Sequence, residues 1–383
     1  MKLKLSSLMV VLGAIVSFVG FEDSANAYLA AIRLGYPNCT SCHYNPSGGM
    51  TLTPYGRALS RELISTYGEE GEEGFLWGAT ESIRPKWLQL GGDLRISHVQ
   101  KAQAPEKSVS RMTVADLEAI VGNDKTRVTF DYGFMENPNG VNGVGKPEFT
   151  HKALSRRFYF ENYFSDYFSV RAGKFSPNFG LWNADASNSV RAGLGMGDLA
   201  ETINIEANYI AEDVNFSMTG VLGSDSISTN KNEQGVYFSA SRAIETTYKL
   251  GVSGFYRKND QVERSALGGF SLLGFSPRLY FYNELYLQDV GSKQEGSRSL
   301  GLYGFNRLGY EFLLKQAFFI LISNDFSIRN LEDKNSRKEY YSVGFQWMPR
   351  PHLEFQAHWR KARDLSIGPS FGDEFVLNFH LYQ

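Results

Sequence analysis

The sequence predicts an all-β protein: a sixteen-stranded antiparallel transmembrane β-barrel of porin type, preceded by a short, partly helical N-terminal segment. Three observations carry this prediction. The chain opens like an exported protein, it is rich in aromatic residues yet lacks an apolar run fit for a membrane helix, and most of it alternates with a period of two in runs of about ten residues.

Lys2 and Lys4 lead into an apolar stretch over residues 5–21, followed by Ala25-Asn26-Ala27. That order is a secretory signal with a small-residue cleavage site, so residues 1–27 are expected to be removed before Tyr28. The stretch is interrupted by Ser17 and Gly20 and closes on Glu22 and Asp23, which argues against a retained helix. No later segment offers the roughly 18 to 20 apolar residues of a spanning helix. A membrane crossing therefore has to use strands. The 28 Phe, 21 Tyr and 38 Gly set against only 12 Pro are the weak compositional mark of such barrels. A net charge of −2 argues against nucleic acid as a partner.

The barrel is assigned to residues 87–383, with strands near 87–97, 110–121, 124–134, 154–164, 166–175, 199–210, 212–222, 234–243, 245–257, 264–273, 276–288, 299–310, 313–325, 339–347, 351–361 and 373–382. An even number lets both ends meet on the periplasmic side. Short connections such as Gly122-Asn123, Ser165-Asp166 and Ala211-Glu212 alternate with longer ones, as periplasmic turns do with outer loops. Alternation also assigns faces. In 278–287 one parity carries Arg278, Glu284 and tyrosines for the lumen; in 351–361 Leu353, Phe355, Ala357 and Trp359 face lipid, leaving His352, Glu354, Gln356, His358 and Arg360 inside. The last strand puts Phe375, Leu377, Phe379 and Leu381 outside, with Asn378, His380 and Tyr382 inside. The long connection 176–198 is the third outer loop, a position from which an inward fold would bring Asp185 and Arg191 to the pore.

The two cysteines stand in Cys39-Thr40-Ser41-Cys42-His43, the spacing of c-type haem attachment. Two thiols add to the haem vinyl groups and the adjacent imidazole reaches iron, which makes one covalent haem c the expected cofactor and His43 its proximal ligand. A redox dithiol would leave His43 unexplained, and a zinc site would lack its second ligand pair. Asn45 to Gly49 reads as a turn. Thr53-Pro54 then starts a helix through Ala58, Leu59, Leu63 and Ile64 to Tyr67-Gly68, with Thr53 as cap. Residues 28–68 are too few to enclose a haem, so the barrel has to complete its shielding. Residues 69–86, with Glu69, Glu70, Glu72 and Glu73, read as a solvated linker. For the distal ligand the candidates are His380 first, then His352, both lumenal near the periplasmic rim, and Met50, the nearest sulfur.

This arrangement resembles the fused monohaem cytochrome-porins, best known from iron-oxidising bacteria. The resemblance rests on Cys39-Thr40-Ser41-Cys42-His43 followed by Pro54-Tyr55-Gly56-Arg57, and on Val170-Arg171-Ala172-Gly173-Lys174-Phe175 with Pro177 and Phe179-Gly180, which is similar to a strand-and-loop element of other porins. It implies a barrel in outer-membrane lipid of a Gram-negative bacterium, with the haem segment on the periplasmic side. It also implies electron transfer rather than conventional enzyme catalysis, with a periplasmic cytochrome or other carrier on one side and an extracellular metal or small redox substrate on the other. It does not identify the substrate. The alternative expectation is a diffusion porin or selective small-solute channel with a structural or sensory haem segment.

Overall fold

The computed structural model describes residues 29–46, 48–80, 83–102, 108–136, 151–181, 189–197, 200–224, 232–313 and 317–383. The expected signal peptide and Asp185 lie outside the described residues. The strands are β1 Leu88–Lys101, β2 Ser108–Gly122, β3 Thr126–Glu136, β4 His151–Leu154, β5 Phe158–Tyr163, β6 Phe168–Phe175, β7 Thr202–Ile210, β8 Val214–Gly223, β9 Gln234–Ile244, β10 Tyr248–Lys258, β11 Val262–Ser276, β12 Leu279–Ser292, β13 Arg298–Leu313, β14 Phe318–Ile328, β15 Arg337–Trp347, β16 Leu353–Asp364 and β17 Gly372–Tyr382. Each pairs antiparallel with its neighbours, and β1 pairs with both β2 and β17, which closes the sheet.

β4 and β5 both pair with β3 and are two halves of one stave, so seventeen segments make the sixteen staves of the barrel. The sequence predicted this stave as one uninterrupted run. Its break has a local cause: the Asp131 carboxylate accepts the backbone N–H groups of Arg156 and Arg157, each at 2.7 Å, where a neighbouring carbonyl would otherwise sit. Connections at the rim that holds both chain ends are short, as in 123–125, 211–213, 245–247 and 277–278. At the opposite rim they are mostly longer, although 259–261 departs from the expected alternation by being as short as the turns.

The face assignment holds along the strands. Leu285, Trp359, Phe375 and Leu377 are exposed on the outside, as are Phe130, Phe134, Phe158, Phe160, Ile205 and Ile322. Tyr280, Tyr282, Glu284 and Tyr286 are buried inside. A barrel of this width encloses a large lumen, so what fills it decides its chemistry. Here two insertions from the chain itself fill much of it.

From one side, the loop after β6 folds inward. Phe179, Leu181, Val190, Leu194 and Met196 join wall residues Tyr237, Phe255, Tyr286 and Tyr303 in one apolar core. The inward path is fixed by the N–H of Leu181 donating to Glu284 Oε1 at 2.7 Å and by Arg257 Nη2 donating to the Leu194 carbonyl at 2.7 Å. Arg191 does not line an open pore: it is buried, with Nη1 donating to the Phe179 carbonyl at 3.2 Å, and it braces the loop from within.

From the short-turn rim, residues 29–68 enter the same core through Ala30, Ile32, Cys42, Leu52, Leu59 and Ile64. Arg33 pairs with Glu311 at 3.0 Å, with both side chains almost wholly buried, and lies over the Phe319 ring at 5.0 Å. The predicted helix is α1, Pro54–Glu62, capped by Thr53, whose hydroxyl accepts the Gly56 N–H at 3.1 Å. It stops short of the predicted end at Tyr67-Gly68, because Thr66 and Tyr67 instead donate their N–H groups to the carbonyls of Met348 and Pro349.

The acidic stretch is not a free linker. Arg350 pairs with Glu72 at 2.7 Å and with Glu69 at 3.3 Å, Arg61 pairs with Glu73 at 3.0 Å, and Trp77 Nε1 donates to the Pro351 carbonyl at 3.2 Å. Sequence order hides the pairing of Glu69 and Glu72, since their counter-charge Arg350 comes from the turn at 348–352.

Candidate functional site

The motif residues Cys39–Ser41 form a single turn of 3-10 helix. Side chains three apart are eclipsed in that geometry, so the turn carries the Cys39 and Cys42 thiols on one side. His43 follows directly, with its N–H donating to the Cys39 carbonyl at 2.9 Å. The chain then reverses: His43 bridges antiparallel to Leu52, and the Tyr44 N–H donates to the Thr51 carbonyl at 3.2 Å. This tight reversal needs left-handed backbone, supplied by Gly48 at φ 84° and Gly49 at φ 79°. Gly56 is required for another reason. A Cβ there would fall 2.3 Å from the Cys42 carbonyl oxygen, so only glycine lets α1 pack on the motif.

Cys39, Cys42 and His43 face a cavity between this segment and the barrel wall. Its near side is completed by Leu29, Ala30, Met50, Leu52 and Ile64, and its far side by Tyr280, Tyr282, Glu354 and His380, with Arg95 and Arg307 at hand. Neither cysteine is in a disulfide, and burial pushes the Cys39 thiol up, with the Lys249 ammonium opposing that shift. Among the described residues no group of three or more His, Cys, Asp and Glu side chains converges on a bare metal position. Two thiols beside one imidazole, facing a largely apolar space that the wall closes, fit a covalently held tetrapyrrole.

The distal candidates separate. Met50 lines the cavity, is buried, and is held at φ 59° by the reversal. His380 lines it from the opposite wall, with Nδ1 2.9 Å from Glu354 Oε2 and Nε2 3.2 Å from Asp93 Oδ1 without a hydrogen bond. Asp93 is in turn held by Arg95 at 2.6 Å. His352 is not part of the cavity lining: fully buried in the turn before β16, it places Nε2 3.0 Å from the Glu73 carbonyl. Burial pushes its imidazole down to about 4, so it is neutral and serves to fasten the 69–73 stretch.

Sequence reasoning placed Tyr280, Tyr282, Glu354 and His380 in the lumen by parity. It did not single out Arg95, Arg307 or Lys249, because nothing local to a strand says which lumenal residues meet an inserted segment.

No family model matches the chain, and no curated relative is found. Solved structures do resemble it. A loop L8 deletion mutant of OmpT, an outer membrane protein of Vibrio cholerae, superposes with a TM-score of 0.60 at 9% identity over 77% of this chain and 99% of that one. The anion-selective porin from Comamonas acidovorans gives 0.54 at 8% identity over 77% and 99%, and OprB of Pseudomonas putida 0.53 at 8% over 84% and 99%. At such identities the likeness shows the fold, a porin-like outer-membrane barrel.

Proposed function

We propose that this protein is an outer-membrane electron-transfer protein, carrying one haem c on Cys39 and Cys42 at the periplasmic mouth of its barrel. The observation that carries the reading is the convergence of both thiols and His43 on one cavity whose far wall is the barrel itself. In this reading the short-turn rim faces the periplasm, as in barrels generally. Bound there, the haem supplies one-electron exchange between ferric and ferrous iron. His43 would bind its iron, with Met50 and His380 as the candidates for a second ligand. The segment is anchored by Arg33, Arg57 and Asn38 to the wall, which holds the motif turn at a fixed depth. A periplasmic carrier reaches the group from the segment side, and a metal ion or small redox reactant from the lumen.

The second reading is a diffusion channel with a structural or sensory haem segment. The porin-like neighbours favour it, whereas the apolar core built inside the lumen by the segment and the β6–β7 loop opposes a wide aqueous path. Rapid mixing of the oxidised protein with ferrous iron separates the two. Electron transfer predicts reduction of the haem within the mixing experiment. An unreduced haem, together with haem-independent solute flux in vesicles, would select the channel.

A further inference from the structure

Lys249 is a buried cation with unusual company. It lies on the lumenal face of β10, 7% exposed, and its ammonium donates to the Pro37 carbonyl at 2.9 Å and to Asn38 Oδ1 at 3.2 Å, the two residues before Cys39. The Asn215 amide donates from Nδ2 to the same Asn38 oxygen. Both acceptors of the ammonium are neutral. Lys249 and Cys39 also line a second, small cavity with Ser217, Ser239 and Ser241.

Five buried arginines of the lumen have carboxylates: Arg33 has Glu311, Arg156 has Asp116 and Glu201, Arg157 has Asp131, Arg171 has Glu206, and Arg257 has Glu233. Among the described residues no Asp or Glu forms an ion pair with Lys249. Burying an ammonium without a counter-charge is costly. Fastening Pro37 and Asn38 to the wall needs only a neutral donor, so fastening alone does not account for the charge.

We propose that Lys249 is a positioning residue for redox chemistry: its uncompensated charge beside Cys39 raises the reduction potential of the haem. The proposal rests on the haem reading above. Reduction of ferric to ferrous haem removes one positive charge, so a fixed nearby cation favours the reduced form. Screened by an effective dielectric of about 20, such a charge is worth on the order of tenfold in the redox equilibrium. For a one-electron couple that is about 59 mV.

The test is a spectroelectrochemical titration of the purified full-length protein and three variants, with covalent haem and heat-modifiable gel mobility measured on each. Lys249→Gln keeps a donor and loses the charge; its midpoint should fall by about 59 mV, a tenfold shift. Lys249→Arg restores the charge and should restore the midpoint. Ser241→Asp brings a carboxylate to the same cavity with Lys249 in place, and should lower the midpoint even if Lys249→Gln fails to fold. An unchanged midpoint in haem-loaded Lys249→Gln or Ser241→Asp overturns the proposal, as does a Lys249→Arg variant that falls as far as Lys249→Gln. Absence of covalent haem from the wild-type protein overturns the haem reading and this inference together, whereas a haem-loaded protein with unmoved potentials overturns this inference alone.

Discussion

Replacing Cys42 with alanine is expected to remove most covalent haem while leaving the barrel folded. Cys42 is 3% exposed and faces the cavity, and its thiol has no counterpart elsewhere, since Cys39 is the other cysteine of the chain. Loss of one attachment point leaves a single thioether and a haem held mainly by its iron ligand. The strand ladders do not pass through Cys42, which explains why the barrel should survive. Haem staining after a denaturing gel measures the first part and heat-modifiable mobility the second. Full retention of haem by the variant would refute the attachment assigned to this motif.

The second large effect is expected at Arg171. Its guanidinium pairs with Glu206 at 2.7 Å with neither side chain exposed to solvent, donates to Asn45 Oδ1 at 3.0 Å, and lies over the Phe175 ring at 4.0 Å. Glu206 accepts in addition from the Asn178 N–H at 3.0 Å and the Thr219 hydroxyl at 2.7 Å. One ion pair thus ties together the wall, the N-terminal segment and the inward loop. Arg171→Met leaves a buried, uncompensated carboxylate, and removing one partner of such a pair costs about 3–5 kcal/mol. Denaturant unfolding in detergent should show that loss, and Arg171→Met with Glu206→Gln should recover much of it. A single variant that loses less than about 1 kcal/mol would mean that the pair is not buried as described.

The barrel was legible because period-two alternation and turn spacing are local properties, and sixteen repeats of a weak signal reinforce one another. Leu353, Phe355, Trp359 and Phe375 declared their outward face, and Tyr280, Tyr282 and Glu354 their inward one, from parity alone. The motif was legible because Cys39, Cys42 and His43 are adjacent in sequence, and Thr53-Pro54 carried its own helix cap. What was not legible is tertiary. Arg33 meets Glu311 and Lys249 meets Asn38 across more than two hundred residues, distances at which no spacing rule operates. The break in the β4–β5 stave came from Asp131 on a neighbouring strand, and the pairing of Glu69 and Glu72 with Arg350 was hidden because that arginine lies at the far end of the chain. His352 illustrates the same limit: parity placed it inside, but only the docked segment shows that its ring is spent on the Glu73 carbonyl.

The central claim, one haem held covalently by an exported barrel, is tested most directly by the intact mass of the purified protein. The predicted mass is that of residues 28–383 plus one haem, carried on the peptide that contains Cys39 and Cys42. A mass equal to the polypeptide alone, from protein made in a host that matures c-type cytochromes, would contradict it.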